Sequence, residues 1–301
     1  MGGYFVMLSE EYRFQSCLHS FLRHIDRMCY SPETHKGYQK DLQDFYHFLL
    51  HHKNQTEILL NTITKDDLLA YMDNGRERGH KPNTIARRLS SVKSFYKFVV
   101  NEMDYPVDVA ARIKLPKVYV PIGEILSEGE IQRLLDFAKQ KSSFYHLMFS
   151  ILYYTGSRLT PVRTLEIRNV HLEERMIYFP KVKGGRDLYL PLHQKLVKLL
   201  QDYLQQNYFG GTPYVFPSKR VKGQPVSPAD VRMKLSRFAK EAGITKKVTP
   251  HRIRHSTATH LTIKKVDQRS IASILGHSDL RSTMRYQHLS IEHLREPVNV
   301  L

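Results

Sequence analysis

Tryptophan is absent from this 301-residue chain, and cysteine occurs only as Cys17 and Cys29. Two thiols build neither a disulfide framework nor a cysteine-rich zinc site; they fit a reducing compartment and are expected as buried free thiols. Long apolar runs are missing as well. Nothing approaches the roughly 18 to 20 residues needed to cross a bilayer, and the N-terminal YFVML is too short for a signal-peptide core, so a cytoplasmic protein with no membrane partner is expected. No G-x-x-x-x-G-K-[ST] loop is present, which removes the commonest nucleotide cradle. Acidic residues are few beside basic ones: 29 Asp and Glu face 46 Lys and Arg, for a net charge of +17. Residues 1–126 hold 17 basic and 15 acidic side chains and residues 127–301 hold 29 and 14, so +15 of the excess lies in the second part. Such a balance predicts a polyanionic partner, nucleic acid ahead of anionic lipid.

Length suggests two domains. The first reads as a helical bundle over 1–112. Phe14, Leu18, Phe21, Ile25 and Met28 recur at helical spacing, and Ser31 with Pro32 opens a helix carrying a Tyr38, Leu42, Phe45, Leu49 stripe. Thr64 and Asp67 form a capping box ahead of LLAYM, and KPNTIARRLSSVKSFYKFVV carries Ile85, Leu89, Val92, Tyr96 and Val99 on one face. The opposite face holds Arg87, Ser90, Ser91, Ser94 and Lys97. Long cations interleaved with small hydroxyls suit phosphate contact better than ordinary solvation. Lys36, Lys40 and Arg88 are added to this DNA-binding set. Pro116 and Pro121 break the periodicity in a linker over 113–126.

The second domain, 127–301, opens with a Ser127–Glu130 capping box and two helices, the second closed by Gly156. RMIYFPKVKGGRDLYLPL reads as a hairpin about Lys183-Gly184-Gly185. The rest is helical, so the fold class is mainly α with a small β-hairpin or sheet in the second domain. Lys219, Arg220, Lys222 and Arg232 join the expected DNA contacts there.

Several short stretches carry chemistry. In TPHRIRHSTATHL, Thr249 and Pro250 start a helix, so His251 and Arg254 project from one face beside its positive end, an arrangement suited to an anion. The apolar positions Ile253, Ala258 and Leu261 lie elsewhere, so neither residue is needed for the core stripe. A metal pair of His251 and His255 lacks the Glu that a zincin helix places after its first His. In YYTGSRLTPVRTL, Arg158 sits in a turn before a helix capped by Thr160 with Pro161 at its first position. The pairs Asp66-Asp67 and Glu173-Glu174 fall on helix-start or turn positions rather than in a metal cluster.

In order, the chain reads TGSR, a hairpin lysine, HRIRH, LGH and, nine residues on, a tyrosine. This resembles the tyrosine recombinase (integrase) family over most of the chain, with SPETHKGYQKDLQDFYHFL and KPNTIARRLSSVKSFYKFV resembling its core-binding domain. The overall length looks most like the Xer-type or transposon-type recombinases. The resemblance implies Arg158, Lys183, His251, Arg254, His277 and Tyr286 as the active site, with no metal and no other cofactor. It also implies double-stranded DNA with inverted half-sites as partner, cleaved and rejoined through a 3′-phosphotyrosyl link and a Holliday junction. A homo-oligomer is implied too, a dimer on one site and a tetramer in synapsis, linked through the C-terminal segment SIEHLREPVNVL. One departure stands out. Many members carry an acid three positions after the first arginine, where this chain has Pro161. Either Glu166 or another group substitutes, or Arg158 is held less firmly and activity depends more on assembly. A non-catalytic DNA-binding relative and a relaxing enzyme of the type IB topoisomerase kind are the alternatives.

Overall fold

The computed structural model describes residues 12–117, 124–182, 186–206 and 211–276. The chain divides into two compact units, Met1–Val120 and Pro121–Leu301. Among the described residues no helix is long and apolar enough to cross a membrane.

The first unit packs helices α1 (Phe14–Arg27), α2 (Pro32–Lys53), α3 (Lys65–Glu77) and α4 (Pro82–Glu102), with a 3₁₀ turn at Leu60–Thr62. α2 and α3 each start at a side-chain cap. The Ser31 hydroxyl accepts from the Thr34 N–H at 3.2 Å, and the Thr64 and Asp67 side chains and backbones bond reciprocally. The stripes then meet in an aromatic core, where the Phe95 ring lies 5.1 Å from Phe14 and 5.8 Å from Phe21. The α1 stripe stops one position short of its expected end. Met28 is the C-cap and is 60% exposed, because the turn to α2 carries it off the packed face. The thiols also differ from expectation: Cys17 is buried, which pushes its pKa up to about 11, whereas Cys29 is exposed at a positive φ of 54°.

The expected linker is partly core. Ile113 packs in the first unit, and the Lys93 ammonium donates to the carbonyls of Ala110, Ala111 and Ile113 at 2.7, 2.9 and 2.9 Å. Leu126 is buried in the second unit, its N–H bonded to the Ser256 hydroxyl at 2.9 Å. A buried N–H without such a partner is costly, so this bond ties the segment before Glu128 to the helix of the second unit that carries Ser256.

The second unit runs α5 (Glu128–Lys141), α6 (Ser143–Thr155), α7 (Leu159–Arg163), β1 (Val170–His171), β2 (Met176–Val182), β3 (Arg186–Pro191), α8 (Gln194–Gln206), α9 (Pro228–Glu241), α10 (Pro250–Ile263) and α11 (Gln268–Leu275). The sheet is antiparallel in the order β1-β2-β3, with Ile177 opposite Leu190 and Phe179 opposite Leu188. Those four turn one face of the hairpin to the helices, as a period of two requires; the two-residue β1 carried no legible signal of its own. α7 starts earlier than expected. Arg158 rather than Thr160 is its N-cap, which makes Pro161 the third helical residue, where its missing N–H is still no loss.

Asp67 couples the first unit to pH. Burial raises its pKa, but the bond from Lys53 and those from Thr64 outweigh this and hold the carboxyl below its ordinary value. A depressed folded pKa gives stability that is full above the unfolded value of about 4 and lost as pH falls through the folded one. Unfolding in urea at pH 6 and pH 3 should show a smaller acid penalty in Asp67→Asn than in the parent chain; equal penalties would remove Asp67 from the account.

Candidate active site

The site is assembled on α10. The Thr249 hydroxyl accepts from the Arg252 N–H at 3.1 Å and Pro250 occupies the first helical position, so the helix starts abruptly and its first turn is fixed. His251 projects from that turn and is exposed. Arg254, three residues on, is only 5% exposed, although the apolar stripe had no need of it.

Its guanidinium spans two helix ends. One terminal nitrogen donates to the carbonyl of Gly156 at 2.9 Å, the C-cap of α6, and the other to the carbonyl of Leu275 at 2.8 Å, the last residue of α11. Both ends have unpaired carbonyls and the negative end of a helix dipole, so a buried cation there is compensated without a carboxylate. The planar fork of arginine makes both bonds at once, which a lysine cannot match.

The fit around this fork is close. Gly156 adopts a φ of 58°, and a Cβ on it would stand 2.6 Å from Leu275 Cδ2 and 3.3 Å from Thr257 Cγ2. Glycine therefore answers a backbone requirement and a packing one together. Gly276 has a φ of 61°, and a Cβ there would meet Leu188 Cδ2 on β3 at 3.2 Å. The contact sets the hairpin strand against the turn that leaves α11. The Thr257 hydroxyl donates to the Tyr153 carbonyl at 2.8 Å and completes the clamp on α6.

Arg158 follows Gly156 by two residues and is half-buried. Among the described residues no group bonds its guanidinium; the one acid considered as a substitute, Glu166, pairs with Arg168 at 2.6 Å instead. The structure thus brings together the backbone before Arg158, the helix of His251 and Arg254, and the end of α11. Lys183, His277 and Tyr286 lie outside the described residues.

Some supporting residues escape a reading by hydropathy. Ser256, Thr257, Thr259 and Thr262 on α10 are buried, and their hydroxyls return to the carbonyls four residues back at 2.9, 3.1, 3.0 and 2.9 Å. Polar side chains that satisfy themselves this way can line a core, so α10 is buried on several sides without an apolar stripe. The His260 Nδ1 stands 3.0 Å from the Tyr153 hydroxyl; burial lowers the imidazole pKa and raises the phenol to about 12. The legible signal was the run of small hydroxyls in HSTATH.

The expected DNA contacts divide. Lys36, Lys40, Lys97, Lys219, Lys222 and Arg232 are exposed. Arg220 is exposed at the tip of the 217–225 loop and lies 3.4 Å from Asp230. Arg87 pairs with Asp41 and stays 53% exposed. Two of the expected contacts bond within the bundle. Arg88 is 12% exposed and pairs with Asp44 at 2.5 Å, and Ser91 is buried with its hydroxyl donating to Asp41 Oδ2 at 2.8 Å. Both turn toward α2 because its two aspartates lie inside the bundle and require cations and donors there.

Residues 124–293 match the phage integrase family, and residues 18–103 match the phage integrase N-terminal SAM-like domain. The tyrosine recombinase XerD of Caulobacter vibrioides is 32% identical over 272 residues, covering 87% of each chain. Two solved structures share the fold. XerH site-specific recombinase bound to palindromic difH substrate, a post-cleavage complex, aligns with a TM-score of 0.73 at 20% identity over 89% of this chain and 79% of its own. A lambda integrase tetramer bound to a Holliday junction aligns with a TM-score of 0.72 at 16% identity over 95% and 80%.

Because Arg254 ends two helices, its loss should show in stability as well as in activity. A hydrogen bond to a charged group contributes about 1.5–3 kcal/mol. Arg254→Ala should therefore lower the unfolding free energy by at least about 2 kcal/mol in a denaturant titration. An unchanged midpoint would mean that the two bonds carry nothing.

Proposed function

The chain belongs to the phage integrase family of tyrosine recombinases, enzymes that cleave and rejoin DNA, and from that premise we propose that it is a site-specific recombinase with Tyr286 as nucleophile. Arg158, Lys183, His251, Arg254 and His277 complete its active site. The observation that carries this reading is the pair of hydrogen bonds that Arg254 donates to the carbonyls of Gly156 and Leu275. It holds at one guanidinium the segment that leads to Arg158 and the segment that leads to His277.

Attack on a phosphodiester builds negative charge on the non-bridging oxygens. Arg158 and Arg254 meet that charge with guanidinium N–H groups, which bind the transition state more tightly than the ground state. The free phenol has a pKa of about 10, so Tyr286 gives up its proton as it attacks, and exposed His251 is the acceptor. Lys183 in the hairpin connection protonates the departing 5′-oxygen, and His277 donates to the phosphate and supports the tyrosine. The 3′-phosphotyrosyl link keeps the bond energy that a second strand's 5′-hydroxyl uses to rejoin, so the cycle needs no cofactor.

In this reading residues 1–112 form the core-binding domain, 113–126 the connection and 127–301 the catalytic domain with its C-terminal exchange segment. Two protomers occupy inverted half-sites, and four bring two sites together and pass through a Holliday junction. Lys36, Lys40, Lys97, Lys219, Arg220, Lys222 and Arg232 supply sequence-independent attraction. With Pro161 in place of a supporting acid and Glu166 committed to Arg168, Arg158 takes its final position on the phosphate itself.

On a nicked suicide substrate, Tyr286→Phe should form no covalent complex while its affinity for the site stays within about twofold of the parent's. Persistence of the covalent product would remove Tyr286 as nucleophile. Cleavage by the parent chain should proceed undiminished in EDTA, and recombinant products rather than relaxation alone should form on a supercoiled plasmid carrying two sites.

A further inference from the structure

Asp41 is an unusual acid. It is 1% exposed, and its Oδ1 is buried with no hydrogen-bond partner among the described residues. All of its compensation comes through Oδ2, from the Arg87 guanidinium and the Ser91 hydroxyl. The pair lines a cavity of about 250 Å³ between α2 and α4, walled by Thr34, Gly37, Tyr38 and Ser90. Asp41 is the one acid in that wall.

The two arginines on this stretch of α4 have different fates. Arg88 is spent inside the bundle on Asp44, which Arg78 and the Tyr71 hydroxyl also approach, at 3.3 and 2.8 Å. Arg87 is held at one terminal nitrogen by a carboxylate that cannot turn away, yet more than half of its side chain is in solvent. Exposed Lys36 and Lys40 immediately precede Gly37 and Asp41 on α2. A Cβ on Gly37 would touch nothing within 4 Å, so the rim is open. A phosphate contact can use a guanidinium fork, but a point charge on a flexible stem also serves it, with no need for a fixed direction. A fork fixed in direction by a buried carboxylate, in a rim of small hydroxyls, fits bidentate recognition of a planar edge with two acceptors.

On the reading of this chain as a DNA recombinase, we propose that Arg87 reads a guanine edge (O6 and N7) in the major groove of the half-site and that Asp41 is its positioning residue. Lysine at 87 keeps the charge and loses the fork. Asparagine at 41 keeps the shape and loses the charge that aims it.

The full-length chain, Arg87→Lys and Asp41→Asn are each used to select bound sequences from a randomised duplex pool, with thermal unfolding followed alongside. The parent chain should prefer guanine at one half-site position by about tenfold or more. Both variants should lose that preference at that position while keeping the others, and Arg87→Lys should keep its affinity for unrelated duplex within about twofold. A purely structural role for Asp41 lowers the melting temperature and leaves base preference alone, and if that variant does not fold, Arg87→Lys decides. A uniform loss of affinity with every base preference intact makes Arg87 a phosphate contact and overturns the inference, as does a parent chain that selects no guanine. Covalent trapping of the parent on its selected site separates the two levels: trapping with unaltered preferences in the variants sinks only this inference, and no trapping at all sinks the recombinase reading.

Discussion

One guanidinium, placed where two helices end, determines how the second unit arranges its chemistry. Each helix terminus leaves carbonyls that need donors, and burying two such termini side by side would be unfavourable without a cation between them. Arg254 meets both needs, from a helix whose own start is fixed by Thr249 and Pro250. The left-handed turns at Gly156 and Gly276 follow, since each chain must leave its helix sharply to keep its carbonyl on the fork. The close approach of Leu275 to Gly156 and of Leu188 to Gly276 then locks α6, α11 and the hairpin strand into one assembly.

Much of this frame is legible from residue order alone, because caps and periodicity are local. Ser31, Thr64, Ser127 and Thr249 start helices where their hydroxyls find an N–H three residues on, and Gly156 closes one as its position suggested. What escaped was set by partners distant in sequence. Nothing within a few residues of Arg88 or Ser91 announces that Asp44 and Asp41 lie inside the bundle 44 and 50 positions earlier. Arg254 was placed on the right helix, but its burial was not foreseen, because a pattern of apolar residues does not register a core that wants a cation. Lys183, His277 and Tyr286 rest on motif spacing, beyond the described residues.

The near balance of charge in the first 126 residues conceals a spatial sorting. Asp41, Asp44 and Asp67 are placed within the bundle and neutralise Arg87, Arg88, Arg78 and Lys53, while Lys36, Lys40 and Lys97 face solvent. The tally of 17 against 15 does not show this sorting, since it counts paired and solvent-facing charges alike. Inward acids serve stability and aim, and outward bases serve attraction; a count of residues merges the two roles.

The clamp at Arg254 also bears on how relatives of this chain lose their trade. A descendant released from selection for strand transfer would still need something to close two helix ends, so Gly156 and Arg254 would outlive the chemistry. Arg158, whose guanidinium makes no bond among the described residues, would drift first. On the proposed reading, a pseudo-enzyme in this lineage would therefore be betrayed by what has happened at 158, whereas an intact glycine and second arginine would testify to folding alone.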